Sequence, residues 1–242
     1  MHGVAAVGVL VTVSLLASRI SIAQSTQPAE RIQRQFEALA DTDAQVRDEA
    51  RIALMGISRQ DLEALREIVR RSRPLAPSQA VVLHDIVTHV YLAGEPNHGP
   101  TNEGFLGVRL APPRPDGAFL EEQGINTSGL AGVLIEECMP GYSGFRYLRQ
   151  GDVVLGVKEP VRVRTPQQQE LINAVSSVPP NDEIRLEVLR QGRVVEIAMR
   201  VSARPLEAAD RLLTMELLNQ RQAQAEAYWK KHFLPLLEPD VS

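Results

Sequence analysis

The sequence predicts a multi-domain α+β protein: a helical bundle, then a module of short strands around one main helix, then a final helix. Three observations predict it. Apolar residues recur at helical spacing from Ile32 to Tyr91, alternate at strand spacing from Val133 to Val201, and return to helical spacing after Pro205. The chain has 242 residues, 44% of them apolar, which is enough to build a core and argues against wholesale disorder.

The first residues read as a targeting segment. Val4 to Ala17 is an uncharged apolar run, short for a bilayer-spanning helix, and Ser21-Ile22-Ala23 sets small residues where a signal peptidase cuts. Residues 1–23 are therefore expected to be a signal peptide, although no Lys or Arg precedes the run. If it stays uncleaved, the segment anchors the chain in a membrane. Either outcome places the folded part outside the cytoplasm, periplasmic or secreted.

A polar stretch, Gln24 to Ala29, leads into a helical domain over residues 27–93. Ile32, Phe36 and Leu39 mark the first helix. Val46, Ala50, Ala53, Leu54 and Ile57 share one face of the second, with Asp41 or Asp43 as N-cap and Gly56 closing it. Leu62, Leu65, Ile68 and Val69 mark the third, which Pro74 and Pro77 stop. The fourth, Ser78 to Leu92, carries Val81, Val82, Leu83, Ile86, Val87, Val90 and Tyr91. In the second helix, Asp43, Val46, Arg47 and Ala50 resemble the inner part of a HEAT repeat, which implies a HEAT-like domain. One such unit is too few for a solenoid.

Residues 94–103, rich in Gly, Pro and Asn, read as a linker. Strand periodicity follows at Val133 and Ile135, Val153 to Val157, Ile184 to Val188, and Val195 to Val201, with Gln191-Gly192 as a hairpin turn between the last two. One helix, Pro166 to Val178, interrupts them. Residues 206–234 form the C-terminal helix, and 235–242, with two prolines, a tail expected to fray.

Composition excludes some functions. A net charge of −4 and 4% aromatics supply no basic, aromatic-lined surface for nucleic acid. Cys138, the single cysteine, cannot form an intramolecular disulfide and suits a buried strand position as a small hydrophobe. His84 and His89, five apart on one helix, diverge around its axis and make poor joint metal ligands, and no metal or cofactor is expected. His84 and its neighbour Asp85 read as a surface pair.

"FLGV" at 105–108, "GVLIEECMPG" at 132–141, "LRQGDVVLGV" at 148–157, the helix "TPQQQELINAV" and the closing hairpin "EIRLEVLRQGRVVEIAMRV" stand in one order. This order resembles PDZ domains, most closely those of bacterial HtrA-type envelope proteases. The resemblance covers 104–205 and implies a partly open β-barrel with one main helix. It also implies a carboxylate loop and ligand-pairing strand made by Phe105, Leu106, Gly107 and Val108 and continued by Arg109 and Leu110. Glycine suits such a loop because backbone N–H groups must approach the ligand without a Cβ between. Gln168, Ile172 and Val175, three to four residues apart, would form the opposite wall, with Leu171, Ala174 and Val178 turned to the sheet. Gln168 carries no charge or imidazole, so sequence preference would be loose. The plainer alternative makes "FLGV" a strand start with a bulge glycine and the helix residues core.

Three features depart from the family: "YSGFRY" after Pro140-Gly141, Lys158-Glu159-Pro160 after Val157, and a long insert at 111–131. No protease residues accompany the module, since Ser143 lacks the second glycine of a nucleophile elbow. The expectation is a non-catalytic, extracytoplasmic protein that binds a peptide or protein C-terminus by strand addition, with envelope proteins as partners. The alternative is an assembly scaffold whose groove is occluded and whose helices make the contacts.

Overall fold

The computed structural model describes residues 17–93, 100–112, 132–160, 162–164, 167–205 and 211–237. Residues 1–16, which hold most of the apolar run, and 113–131, which hold most of the insert, lie outside the described residues, as do 94–99 of the linker and 238–242 of the tail. Among the described residues no helix is long and apolar enough to cross a membrane.

The helical unit begins with α1 (Ala17–Ala38), which extends N-terminally through the polar stretch read from sequence as a lead-in. α2 (Ala44–Leu54) starts at Asp43, whose carboxylate accepts the Gln45 N–H at 2.8 Å, while Asp41 accepts the N–H of Asp43. A 3₁₀ turn (Arg59–Asp61) leads into α3 (Leu62–Arg71), and α4 (Pro77–Ala93) opens on proline, which suits a first helical turn. Ile32, Phe36, Leu54, Leu65, Val69, Leu83 and Ile86 share one core, whereas Val81, read from sequence with the apolar residues of α4, is 76% exposed because it falls on the solvent side of that helix.

The sheet module contains β1 (Pro100–Phe105), β2 (Val108–Leu110), β3 (Val133–Cys138), the short helix α5 (Ser143–Tyr147), β4 (Val153–Glu159), β5 (Val163–Arg164), α6 (Gln168–Ser176), β6 (Glu183–Arg190), β7 (Arg193–Arg200) and β8 (Ser202–Pro205). Its strands make one sheet in the order β2-β3-β4-β6-β7, with β5 on β4, and a separate ribbon of β1 with β8. Where a partly open barrel is expected, the described residues thus form two sheets and no closed barrel. Strand β1 pairs with β8 and leaves β2 on an edge. The hairpin between β6 and β7 turns on Gln191 and Gly192, both at positive φ, as a tight two-residue turn demands.

Helix α7 (Arg211–His232), expected as a separate C-terminal element, packs into the N-terminal core through Trp229 and, just past its end, Phe233. Phe233 is fully buried there, so α7 and the helices of the N-terminal unit build one bundle. The bundle is tied to the sheet module through the stretch 141–149. Arg146 Nε donates to the Ile52 carbonyl at 2.8 Å, Arg51 donates to the Arg146 carbonyl, and Arg149 pairs with Asp48.

Candidate functional site

The site starts from a hydrogen-bond phase. Val108 on β2 faces Cys138 on β3, and the Met139 N–H donates to the Gly107 carbonyl at 2.7 Å just beside that pair. In an antiparallel ladder this makes Val108 and Cys138 a non-hydrogen-bonded pair, so the N–H and C=O of Val108 point away from β3. No strand of the described residues covers that edge. An extended chain laid along β2 would find one donor and one acceptor there.

The preceding loop is held from behind. The Gly144 N–H donates to the Leu106 carbonyl at 2.8 Å, as Met139 does to Gly107. Across a trans peptide the next N–H points opposite the carbonyl, so the N–H groups of Gly107 and Val108 turn away from these anchors. Neither Leu106 N–H nor Gly107 N–H finds an acceptor among the described residues. Gly107 makes the turn at φ +69°, and a Cβ there would run into Tyr142, which lies under the loop. Gly144 is small for a related reason: a Cβ would press on the Leu106 carbonyl that its own N–H holds.

Helix α6 faces this loop across a groove of about 400 Å³. All the residues expected from sequence line it: Phe105, Leu106, Gly107, Val108, Arg109 and Leu110 on one side, Gln168, Ile172 and Val175 on the other. Their environments differ. Ile172 is 36% exposed, whereas Leu106 and Val175 are 4% and 7% exposed and belong to the module's core. The expected division of α6 into core and groove stripes is therefore not clean, and Leu171 lines the groove as well. The helix points its apolar face between sheet and groove, so the floor serves both. Phe105 sets its ring edge-on against Tyr142 at 5.0 Å, supporting the loop. Arg109 pairs with Glu136 and Glu137 of β3 at 3.0 and 2.9 Å, so its charge is held toward the sheet.

Arg204 also lines the groove, and sequence reading missed it. It arrives through pairing of β1 with β8, where Gly104 faces Ala203, and it carries an ion pair to Glu103 at 3.0 Å. A contact between residues about a hundred positions apart leaves no local signal. Met139, Gly104 and Ser176 complete the lining.

Behind the loop, His89 accepts the Gly141 N–H on Nδ1 at 3.1 Å and stacks on Phe145. Burial, helped by Arg146 and Arg51, lowers its pKa to about 4, so the ring is neutral. The Cys138 thiol is pushed up to about 12 by burial and then by Asp152, which keeps it protonated. His84, expected to pair with Asp85, holds Glu226 of α7 at 2.8 Å and stands 3.7 Å from Asp85.

No protein-family profile matches the chain, and no curated protein matches it. Among solved structures it is similar to the HtrA-type protease AlgW with tripeptide, at 26% identity and a TM-score of 0.36 over 43% of this chain and 32% of that one. It is also similar to the HtrA-type protease AlgW with decapeptide, at 22% identity and a TM-score of 0.35 over 52% and 35%. The chain spans about a third of the length of these structures.

Proposed function

We propose that residues 104–205 form a PDZ-like receptor for the free C-terminus of a peptide, which adds to β2 as an extra strand. One observation carries this reading: the outward N–H and C=O of Val108 continue a loop whose two N–H groups lack acceptors among the described residues, beside an apolar groove. The terminal carboxylate would take the N–H groups of Leu106 and Gly107, with Arg204 supplying a positive charge nearby. The last side chain would lie on Leu106, Val175 and Ile172, which favours a medium-sized apolar residue. Gln168 offers only neutral hydrogen bonds, which fits loose preference further along the ligand.

In this reading the protein is non-catalytic and works outside the cytoplasm on envelope proteins. The apolar run Val4–Ala17 and the absence of a nucleophile elbow around Ser143 support those two points. Titration of the full chain into matched hexapeptides that carry an N-terminal fluorophore, one ending in a free carboxylate and one amidated, with binding followed by fluorescence anisotropy, tests the core of it. A charge-assisted hydrogen-bond set is worth about 1.5–3 kcal/mol, so amidation should weaken binding roughly tenfold or more. Equal binding of both forms sinks the carboxylate loop. Absence of binding at ~1 mM leaves the groove without a function and favours the scaffold reading.

A further inference from the structure

A second cleft, of about 550 Å³, is lined by residues of both the helical unit and the sheet module, Tyr142 among them. That volume is in the range of small-molecule sites, roughly 300–1,000 Å³. Met55 and Gly56 wall it from the bundle, and Arg146, Tyr147 and Met199 from the module. Two of its polar groups are spare.

Arg146 is the first. Its Nε is used by the Ile52 carbonyl, and its guanidinium lies 5.0 Å from the Tyr147 ring centroid, yet it pairs with no carboxylate among the described residues. The terminal nitrogens sit over Gly56, where any Cβ would collide with them. A half-buried guanidinium held in this way without a counter-ion is an arrangement that costs stability unless something fills it. His89 is the second. It is 4% exposed, and because Nδ1 accepts from Gly141 the neutral ring carries its proton on Nε2, a donor with no acceptor among the described residues. Arg200 adds a further positive charge to the lining. The lining carboxylate, Glu183, is already paired with Arg185 at 2.8 Å.

We propose that this cleft binds a small molecule through an oxyanion group, a carboxylate or phosphate, taken by the fork of Arg146 and the Nε2–H of His89. A planar guanidinium and a neutral imidazole donor suit an oxyanion, and the cleft gives a cation no facing acceptor of comparable strength. The site is separate from the peptide groove: the two linings share no residue, and Tyr142, which lines the cleft, lies under the carboxylate loop.

The test uses the full chain and two probes, inorganic phosphate and acetate, each titrated against sodium chloride at matched ionic strength. Amide chemical shifts are followed by NMR. Saturable shifts centred on Gly56, Ile57 and residues 141–147 with either probe support the site. Binding without saturation, or shifts scattered over the cationic surface, overturns it. Arg146→Gln should cut the affinity about tenfold or more, the expected loss for a charged hydrogen-bond partner. A folded Arg146→Gln protein that binds as tightly as wild type also overturns it. If that variant fails to fold, the shift map on the wild-type chain decides.

Discussion

Gly107→Ala is the sharpest perturbation of the carboxylate loop. The residue sits at φ +69°, and an L side chain in that region costs about 1–2 kcal/mol. The new Cβ would also overlap Cβ and the ring of Tyr142. Tyr142 is 3% exposed and braced edge-on by Phe105, so it cannot move without disturbing the loop, and overpacking of this kind costs roughly 1–3 kcal/mol. The expected loss is therefore about 2–5 kcal/mol, with peptide binding lost in the fraction that stays folded. Urea unfolding followed by circular dichroism measures the first part. The fluorescence of Trp229 is unsuitable because that residue reports the helical bundle. Peptide titration below the unfolding transition measures the second. A variant that unfolds at the wild-type urea concentration and binds peptide unchanged would refute the loop geometry argued above.

Other changes separate groove, core and bundle. Ile172→Glu, at a position 36% exposed, should keep the wild-type melting point within a few degrees while lowering peptide affinity about tenfold, and a large loss of stability would place Ile172 in the core. Asp152→Ala removes the partner of Arg190, which donates to it twice at 2.9 and 2.7 Å, and should destabilise by about 3–5 kcal/mol in urea unfolding. Phe233→Ala should cost about 3–5 kcal/mol and lower the Trp229-monitored transition, whereas an unchanged transition would detach α7 from the bundle. His89 has its folded pKa depressed to about 4 against an ordinary 6.5, so the unfolded chain binds more protons between these values. Its contribution is present above pH ~6.5 and is lost as pH falls toward ~4, at most about 3 kcal/mol. An imidazole NMR signal for His89 that titrates near 6.5 would contradict the burial.

Much of this was legible in the sequence because it depends on local pattern. The helical spacing of Leu62, Leu65, Ile68 and Val69 predicts a face that is buried, and Gln191-Gly192 predicts the hairpin turn. The groove residues came from motif order, and they do converge on one cavity. What could not be read is long-range. Helix α7 reads as Leu-rich over 212–218 and Gln- and Ala-rich after that, and its anchors in the N-terminal core, Tyr228 and Trp229 with Phe233 just past its end, carry no local sign of which core they close. Arg204 reaches the groove only through the β1–β8 ribbon, a pairing that no periodicity announces. In the sequence His89 reads only as one of a divergent histidine pair, and its role behind the loop follows from the Gly141 N–H that reaches it across the two units. Leu171 and Val175 serve floor and core at once, a double role that a stripe model of a helix cannot express.

Strand addition itself is tested most directly by amide hydrogen exchange at residues 106–108 with and without a saturating C-terminal peptide. In the free protein the N–H groups of Leu106 and Gly107 have no acceptor among the described residues and that of Val108 faces outward, so all three should exchange fast. Peptide binding should slow all three while leaving Arg109, whose register places its N–H toward β3, little changed. Tight binding that leaves exchange at Leu106, Gly107 and Val108 unaltered would contradict the account.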